Sequence, residues 1–168
     1  LLLELRSGLL PPGKQTAEST INAVRNLLES LGKWPVVLNR ELPGYLVNRL
    51  QFALLREAMD LVGQGVASAM EIDRAVRGSI ARRMPVLGLF GQADTAGLDV
   101  YQQIFRYLSP DLNRGTEPPT VLDELVRTGR TGATSGSGFY EWSPHDVSLT
   151  LNRRNAELIR LLQADRLG

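Results

Sequence analysis

The chain has 168 residues, of which 43% are hydrophobic, and its formal net charge at pH 7 is +1. That length and apolar content can bury a core, and they fit one domain, or one domain and part of another. The near-neutral charge, with basic residues spread among acidic ones, argues against a nucleic-acid partner. The absence of cysteine excludes disulfides and thiolate metal sites, and a single histidine argues against most histidine metal sites.

No apolar run approaches the roughly 18 residues of a membrane span. The opening LLLEL also lacks the length and flanks of a signal peptide. These features predict a soluble, cytoplasmic protein that does not bind a membrane. The chain begins inside an apolar segment with Leu1 rather than methionine, so we expect it to be a piece of a longer protein.

The first 41 residues predict a strand, a helix and a strand. The opening LLLELRSG predicts a buried strand ended by its Ser-Gly pair, and LLPPGKQT is typical of a loop. Helical spacing of apolar residues predicts a helix over Thr16–Leu31 that ends at Gly32. WPVVLN predicts a second buried strand over Trp34–Asn39. Because two strands are too few for an independent parallel sheet, this part is interpreted as a fragment of an α/β domain.

After the Pro43-Gly44 turn the sequence predicts helices joined by loops and no further strand. The apolar segment YLVNRLQFALLREAMDLV predicts a long helix, and Ser68 with Glu71 three residues on is a capping box that begins another. MPVLGLFGQADTAG, broken by proline and glycine, is typical of a loop. Helical periodicity returns in LDVYQQIFRYLS, in PPTVLDELVRTG and, after the cap residue Ser143, in PHDVSLTLNRRNAELIRLLQADRLG.

The predicted fold class is therefore mainly α. A strand-helix-strand piece at residues 1–41 is followed by an all-α domain at residues 42–168, with the boundary at Glu41–Pro43. Apolar side chains on nearly every side of the long helix predict that it lies in the middle of the helical domain.

Asn48 lies on the apolar side of the long helix, which is an unusual place for an amide. With about 100° per residue, it falls in one row with Phe52, Leu55 and Met59. A buried amide without a hydrogen bond costs roughly 1–3 kcal/mol, so we expect it to have a partner. Two interpretations stay open: a cap or core hydrogen bond near the helix start, or a polar group presented to a substrate.

Other polar features are weighed in the same way. Glu4 is a carboxylate in an apolar strand, where such a group can orient a histidine or act as a general base; an edge or surface position is the alternative. GATSGSG could bind an anion through its amides, but it lacks the other parts of a P-loop, which favours a tight turn. Arg82 and Arg83 are interpreted as solvated, with a charged ligand as the alternative. His145 is interpreted as a surface residue in the first turn of its helix.

Several spaced motifs, in order, resemble the 3-hydroxyacyl-CoA dehydrogenase family. GK-x-PV, PG-x-x-x-NRL, an A-x-x-x-EA helix and an AS…ID helix follow one another between residues 32 and 76. PVLGLFGQADTAGLD and GSGFYEW then stand where the family has its G-P-F, D-x-x-GLD and G-x-GFY-x-[YW] segments. The resemblance covers almost the whole chain through Trp142.

This resemblance implies an architecture and a reaction. In the family an NAD-binding Rossmann domain comes first, and a helical domain follows that serves dimerisation and forms one wall of the acyl-CoA cleft. The chain would hold the helical domain and the last strand-helix-strand of the Rossmann domain, without the GxGxxG turn for NAD or the catalytic histidine of the H-x-x-NP segment. The reaction oxidises a 3-hydroxyacyl-CoA to a 3-oxoacyl-CoA, with hydride transfer to NAD, in fatty-acid and acyl-CoA degradation.

The resemblance also implies roles for two residues. Glu4 resembles the glutamate that holds the catalytic histidine, and Asn48 matches the asparagine of the NRL motif near the substrate carbonyl. NAD is then bound by the missing N-terminal domain, and no cofactor- or metal-binding residue is predicted in this chain. The implied partners are a 3-hydroxyacyl-CoA and a second copy in a homodimer, with no nucleic acid and no membrane, and the chain alone is expected to be inactive.

Four positions depart from the family pattern: Tyr45 for phenylalanine, Leu89 for proline, Gln92 for glutamate and Thr134 for lysine. The changes at residues 89 and 92 make the shape of their loop harder to infer from the resemblance. Two other functions are carried as alternatives: an isolated, non-catalytic helical dimerisation module, and a dehydrogenase of small hydroxy acids of the gulonate or carnitine type. The GLD and GSGFY segments favour the acyl-CoA group.

Overall fold

The computed structural model describes residues 7–10 and 16–164. The chain divides into two compact units, Leu1–Phe52 and Ala53–Gly168. Because the division falls inside a long helix, the domain boundary at Glu41–Pro43 stays a prediction.

The first unit contains a two-stranded parallel sheet. β1 (Ser7–Leu10) pairs with β2 (Trp34–Val37), with Leu10 opposite Val37. α1 (Glu18–Ser30) connects the two strands, since parallel neighbours need a crossover, and packs against β2. The predicted strand-helix-strand order is confirmed. The first strand was predicted to end at Gly8, but β1 continues through Leu9 and Leu10, which were predicted to begin the loop. Residues 1–6 of the predicted strand and 11–15 of the predicted loop lie outside the described residues.

The end of α1 follows its glycine signal. Gly32 has a φ of 70° and donates its N–H to the carbonyl oxygen of Glu29 at 2.9 Å. The next residue, Lys33, donates its N–H to the carbonyl oxygen of Leu28, also at 2.9 Å. This is the paired hydrogen-bond pattern of a Schellman motif, and it confirms the predicted helix end.

The long helix α2 (Tyr45–Gly63) begins directly after an unusual turn. Gly44 has a φ of 78° and Tyr45 a φ of 48°, so two successive residues are left-handed. The Tyr45 N–H donates to the carbonyl oxygen of Leu42 at 3.0 Å, and the Arg49 guanidinium donates to that of Pro43 at 3.3 Å. The predicted helix after the Pro-Gly turn is confirmed.

In the second unit α2 continues and helices follow it: α3 (Ala69–Gly78), α4 (Ile80–Ala96), α5 (Leu98–Leu108), α6 (Thr120–Arg127) and α7 (Pro144–Ala164). α4 packs against both α3 and α5. The predicted capping box is present: the Ser68 hydroxyl accepts from the Glu71 N–H at 3.3 Å, and the Glu71 carboxylate accepts from the Ser68 N–H at 3.4 Å.

The segment predicted as a loop, MPVLGLFGQADTAG, is largely helical and forms most of α4. The prediction weighted proline and glycine as breakers and underrated the apolar residues between them. The helical path breaks at Gly88, whose φ of 66° and ψ of −167° suit a residue without a side chain. α4 therefore consists of two helical stretches, one on either side of Gly88, and Pro85 lies in the first of them.

Few side chains are fully covered. Among the described apolar residues only Leu38 (9% exposed) and Met59 (8% exposed) are buried. The prediction of a central α2 is therefore wrong for most of its length, since Leu50 and Phe52 are exposed. A helix that is apolar on nearly all sides needs neighbours on all sides, and within the second unit the described residues cover α2 only around Met59.

Candidate functional site

Asn48 lies in the first turn of α2, where its side chain is exposed. That side chain forms no hydrogen bond with another residue in the described part of the chain. The expected burial of Asn48 is therefore wrong for the described residues, because Phe52 and Leu55 of its row are exposed and only Met59, farther along the row, is buried. The role of Asn48 at a substrate stays a prediction. Glu4, the other predicted site residue, lies outside the described residues.

The turn before α2 determines where Asn48 emerges. A left-handed conformation at a bulky residue such as Tyr45 costs on the order of 1–3 kcal/mol and tends to occur at functional sites. A Cβ on Gly44 would come within 3.4 Å of the Arg49 Cγ, so the turn also sits close to the side chain after Asn48. The sequence analysis identified Tyr45 only as a departure from the family pattern, and no feature of the sequence predicted its left-handed backbone conformation.

Farther along α2, two successive side chains hold a distant loop. The Glu57 carboxylate accepts the Asn113 N–H at 2.8 Å, and the Arg56 Nη1 donates to the carbonyl oxygen of Gly115 at 3.1 Å. The Asn113 Oδ1 also accepts the Gly115 N–H at 2.8 Å, which closes the loop on itself. The sequence analysis missed this contact; its only signal was the A-x-x-x-EA motif.

The glycine-rich segment is a tight turn, as predicted, and its amides are used within it. The Gly132 N–H donates to the carbonyl oxygen of Ser137, and the Trp142 N–H to that of Gly136, both at 2.8 Å. Arg130 closes the turn from the side, donating to the carbonyl oxygen of Gly138 at 2.8 Å. Because these N–H groups already donate to carbonyl oxygens of the turn, they are not free to bind an anion.

The aromatic end of that segment is fixed to α3. The Tyr140 hydroxyl donates to the Asp73 carboxylate at 2.8 Å, and its ring meets the Trp142 ring edge to face at 6.2 Å between centroids. Partial burial, together with the hydrogen bond and negative charge of Asp73, raises the pKa of Tyr140 above 10.0. Tyr140 therefore connects the turn after α6 to α3, and it does so as a neutral phenol.

A cavity of about 370 Å³ opens where α4 breaks. α4 and α5 both line it, and the lining is mostly apolar. Arg83 is one of the residues that line this cavity. Arg82 and Arg83 are both exposed, in agreement with their interpretation as solvated. His145 is exposed in the first turn of α7, as predicted.

Comparison with known proteins decides the family. The family model of the 3-hydroxyacyl-CoA dehydrogenase C-terminal domain matches residues 44–142. The chain belongs to the 3-hydroxyacyl-CoA dehydrogenase family. This match contains Asn48, the Arg56-Glu57 pair and the aromatic residues of the turn, but ends before α7.

Two curated relatives cover most of this chain. The 5-formyl-3-hydroxy-2-methylpyridine 4-carboxylate 5-dehydrogenase of Mesorhizobium japonicum is 36% identical over 88% of the chain and 48% of its own length. The L-carnitine dehydrogenase of Pseudomonas syringae pv. syringae is 42% identical over 90% of the chain and 48% of its own length. The chain thus spans about half the length of these relatives.

Solved structures of the family differ in how well they match. The crystal structure of a 5-formyl-3-hydroxy-2-methylpyridine 4-carboxylic acid 5-dehydrogenase, an NAD⁺-dependent dismutase, matches with a TM-score of 0.88 and 30% identity over 96% of this chain and 51% of that one. The (S)-3-hydroxybutyryl-CoA dehydrogenase from Ralstonia eutropha matches with a TM-score of 0.56 and 31% identity over 80% of this chain and 47% of that one.

Two further properties concern the described residues. They contain no group of three or more histidine, aspartate or glutamate side chains placed to hold a metal ion. None of their helices combines the length and hydropathy needed to cross a bilayer.

Proposed function

We propose that this chain is the helical C-terminal part of an NAD-dependent dehydrogenase that oxidises a hydroxylated acid or its acyl derivative. The observation that carries the proposal is the family match over residues 44–142, which includes the NRL motif on α2. In this proposal the exposed amide of Asn48 binds an oxygen of the substrate at the reacting carbon. Glu4, which the resemblance implies orients the catalytic histidine, precedes β1 in sequence and lies outside the described residues.

The nicotinamide cofactor does not fit the described residues of this chain. Pyrophosphate binding needs free amides at a glycine turn that leads into a helix. The glycine-rich turn here uses its Gly132 and Gly138 amides for its own carbonyls and is followed by Tyr140 and Trp142, not by a helix. In this proposal NAD is therefore bound by the N-terminal domain that the resemblance implies.

The substrate class is proposed to be a small carboxylated molecule without CoA. The sequence favoured 3-hydroxyacyl-CoA, and the family match still supports that class as the second candidate. The preference for a small substrate rests on the TM-score of 0.88 with the pyridine carboxylate dehydrogenase, against 0.56 with the hydroxybutyryl-CoA enzyme. The L-carnitine dehydrogenase, at 42% identity, adds a relative named for a small charged substrate.

Turnover by the intact protein tests this proposal. NADH absorbance would be followed with L-carnitine, a 5-formylpyridine carboxylate and 3-hydroxybutyryl-CoA at matched concentrations. A larger kcat/KM for either small substrate supports the proposed class, and a larger value for the CoA thioester overturns it in favour of the second candidate. Absence of turnover with all three counts against both candidate substrate classes, and absence of NADH binding by the intact protein as well overturns the dehydrogenase proposal and leaves the dimerisation module.

The 168-residue chain by itself provides a second test. It should neither bind NADH nor turn over substrate, because the described residues offer no pyrophosphate site. Fluorescence titration of NADH would measure this, and saturable binding in the micromolar range would contradict it. The implied homodimer stays a prediction, and sedimentation of the same chain measures it.

A further inference from the structure

Tyr45 is the only residue other than glycine that has a positive φ in the described part of the chain. Its φ of 48° lies in the left-handed region, which glycine and asparagine adopt at a lower cost than a bulky side chain. The side chain is 40% exposed, so no closed core holds the ring in place. The conformation is therefore imposed by the backbone of the turn rather than by packing of the ring.

Two hydrogen bonds hold the chain in this turn. The Tyr45 N–H donates to the carbonyl oxygen of Leu42 at 3.0 Å, which closes a four-residue turn with proline second and glycine third. Together with the φ of 78° at Gly44, this is the pattern of a type II turn. Arg49, in the next turn of α2, donates to the carbonyl oxygen of Pro43 at 3.3 Å. The start of the helix is thus connected back to the turn that precedes it.

The turn lies directly beside Asn48. A Cβ placed on Gly44 would come 3.9 Å from the Asn48 Cβ, which is an ordinary van der Waals distance. All of these residues belong to the first compact unit, Leu1–Phe52. The left-handed turn and the base of the Asn48 side chain are therefore neighbours within one unit.

The φ of Tyr45 sets the direction in which α2 leaves the turn. The residue at a helix start ordinarily has an extended conformation with a negative φ. A change from 48° to that range, about −60° to −160°, would rotate the chain at this bond by roughly 100° or more. α2 and Asn48 would then lose their present orientation relative to β2.

This orientation matters for the proposed reaction. In the proposed function the catalytic histidine and NAD belong to the domain that ends with β2, whereas Asn48 belongs to α2. The turn lies on the short connection between the two elements, residues 38–44. Because a displacement of about 1 Å can lower a rate by about 10²-fold, the amide can serve the reaction only if the turn holds its direction.

We propose that Tyr45 is a positioning residue, whose left-handed backbone orients the Asn48 amide toward the substrate. The inference rests on the proposed function and adds the element that fixes Asn48. The role belongs to the backbone conformation of residue 45. A direct contact between the tyrosine ring and the substrate is the other outcome that the test separates.

Substitutions that differ in their tolerance of a positive φ test this inference in the intact protein. Tyr45→Val introduces a β-branched side chain, which strongly disfavours the left-handed region, and it should lower kcat by about 10–100-fold. Tyr45→Gly and Tyr45→Asn adopt that region readily, and they should retain kcat within about threefold although they lack the ring. NADH absorbance, with the substrate that gives turnover, measures all three.

Leu46→Val is the matched control for the valine substitution. It places the same side chain one residue later, where φ is not positive. It should therefore change kcat by less than about threefold. A loss of kcat as large as that of Tyr45→Val would show that valine disturbs the start of α2 in general, and it would overturn the inference.

A double-mutant cycle tests whether residue 45 acts through Asn48. Asn48→Ala alone should lower kcat by about 10²–10³. If residue 45 acts through that amide, the addition of Tyr45→Val to Asn48→Ala should lower kcat by less than a further factor of about three. A structural effect of valine that is independent of Asn48 would instead multiply the two losses.

Thermal unfolding and circular dichroism check that each variant folds. Gly44→Ala is a second variant of the same turn, for use where Tyr45→Val does not fold. The φ of 78° at Gly44 also disfavours a Cβ, so Gly44→Ala should lower kcat, and the loss should again not multiply with that of Asn48→Ala.

The outcomes separate this inference from the function on which it rests. An intact protein without turnover of the candidate substrates and without NADH binding overturns the proposed function and this inference with it. An active protein with normal kcat in Asn48→Ala overturns the inference, because no group is then left to position. Multiplied losses in the cycle overturn the positioning role alone. So does a loss of kcat in Tyr45→Gly and Tyr45→Asn but not in Tyr45→Phe, because the ring would then be the group required.

Discussion

The Glu57 carboxylate accepts a hydrogen bond of 2.8 Å from the backbone N–H of Asn113, a residue 56 positions later in the chain. The neighbouring Arg56 adds a bond of 3.1 Å to the carbonyl oxygen of Gly115. Both groups of the loop are backbone atoms, so this contact between α2 and the α5–α6 loop does not itself depend on the loop's side chains, although the Asn113 side chain also accepts the Gly115 N–H. The helix that carries Asn48 at its start thus holds the loop near its other end.

Removal of this carboxylate should destabilise the chain. Glu57→Ala leaves the partly buried Asn113 N–H without its acceptor, which should lower the free energy of unfolding by about 1–3 kcal/mol. Glu57→Gln keeps an acceptor oxygen and should lower it less. Urea denaturation measures both, and Glu117→Ala, at an exposed position of the same loop, is the control expected within about 0.5 kcal/mol of wild type. Equal midpoints for Glu57→Ala and the control would show that the loop does not depend on this bond.

The glycine-rich turn should require glycine at residue 138. A Cβ there would lie 2.9 Å from the Gly132 Cα, which is backbone and cannot rotate away. Gly138→Ala should therefore lower the free energy of unfolding by about 1–3 kcal/mol. Gly63→Ala is the matched control, since its Cβ would meet nothing within 4 Å at the end of α2 and alanine is the better helix former. Thermal unfolding of the two variants should move in opposite directions, and a fall in both would contradict the steric argument.

Local signals in the sequence were sufficient for most helix ends. The Gly32 cap and the capping box of Ser68 and Glu71 are each formed by residues a few positions apart, so a short stretch of sequence includes both hydrogen-bond partners. The break at Gly88 was foreseeable as a glycine effect, but the helix on either side of it was not, because breakers and apolar residues gave opposite signals there.

The exposure of Asn48 could not be predicted from the sequence, because it depends on which other residues pack against α2. Periodicity placed Asn48 in an apolar row, but periodicity cannot show whether that row is covered. No local sequence pattern indicated the left-handed conformation of Tyr45, because neighbouring residues impose such strain. None indicated the contact of Glu57 with Asn113 either, because the two residues are far apart in the chain. The resemblance to a family, not periodicity, singled out the asparagine.

Tyr140 should make stability fall at alkaline pH. Its pKa is raised above 10.0 by burial and then by its bond to Asp73, so the folded chain favours the neutral phenol. The associated stability is fully present below pH 10.0 and is lost as pH rises through the raised pKa. Tyr140→Phe should be less stable near neutral pH and should lack this alkaline loss. Urea midpoints at about pH 8 and about pH 10.5 measure it, with the exposed Tyr107→Phe expected to keep the wild-type dependence.

The last prediction concerns Asn48 in the active dehydrogenase. If its amide binds the substrate oxygen at the reacting carbon, Asn48→Ala should lower kcat by about 10²–10³, the scale for losing one positioned polar donor. The free energy of unfolding should stay within about 0.5 kcal/mol, because the side chain is exposed and has no partner in the described part of the chain. A structural cap would give the reverse, with a lower melting temperature and normal kcat for the folded fraction. Asn152→Ala removes an exposed amide from α7 and should leave both quantities unchanged. Steady-state kinetics and thermal unfolding on the same two variants decide the matter, since normal kcat in Asn48→Ala removes this residue from the site.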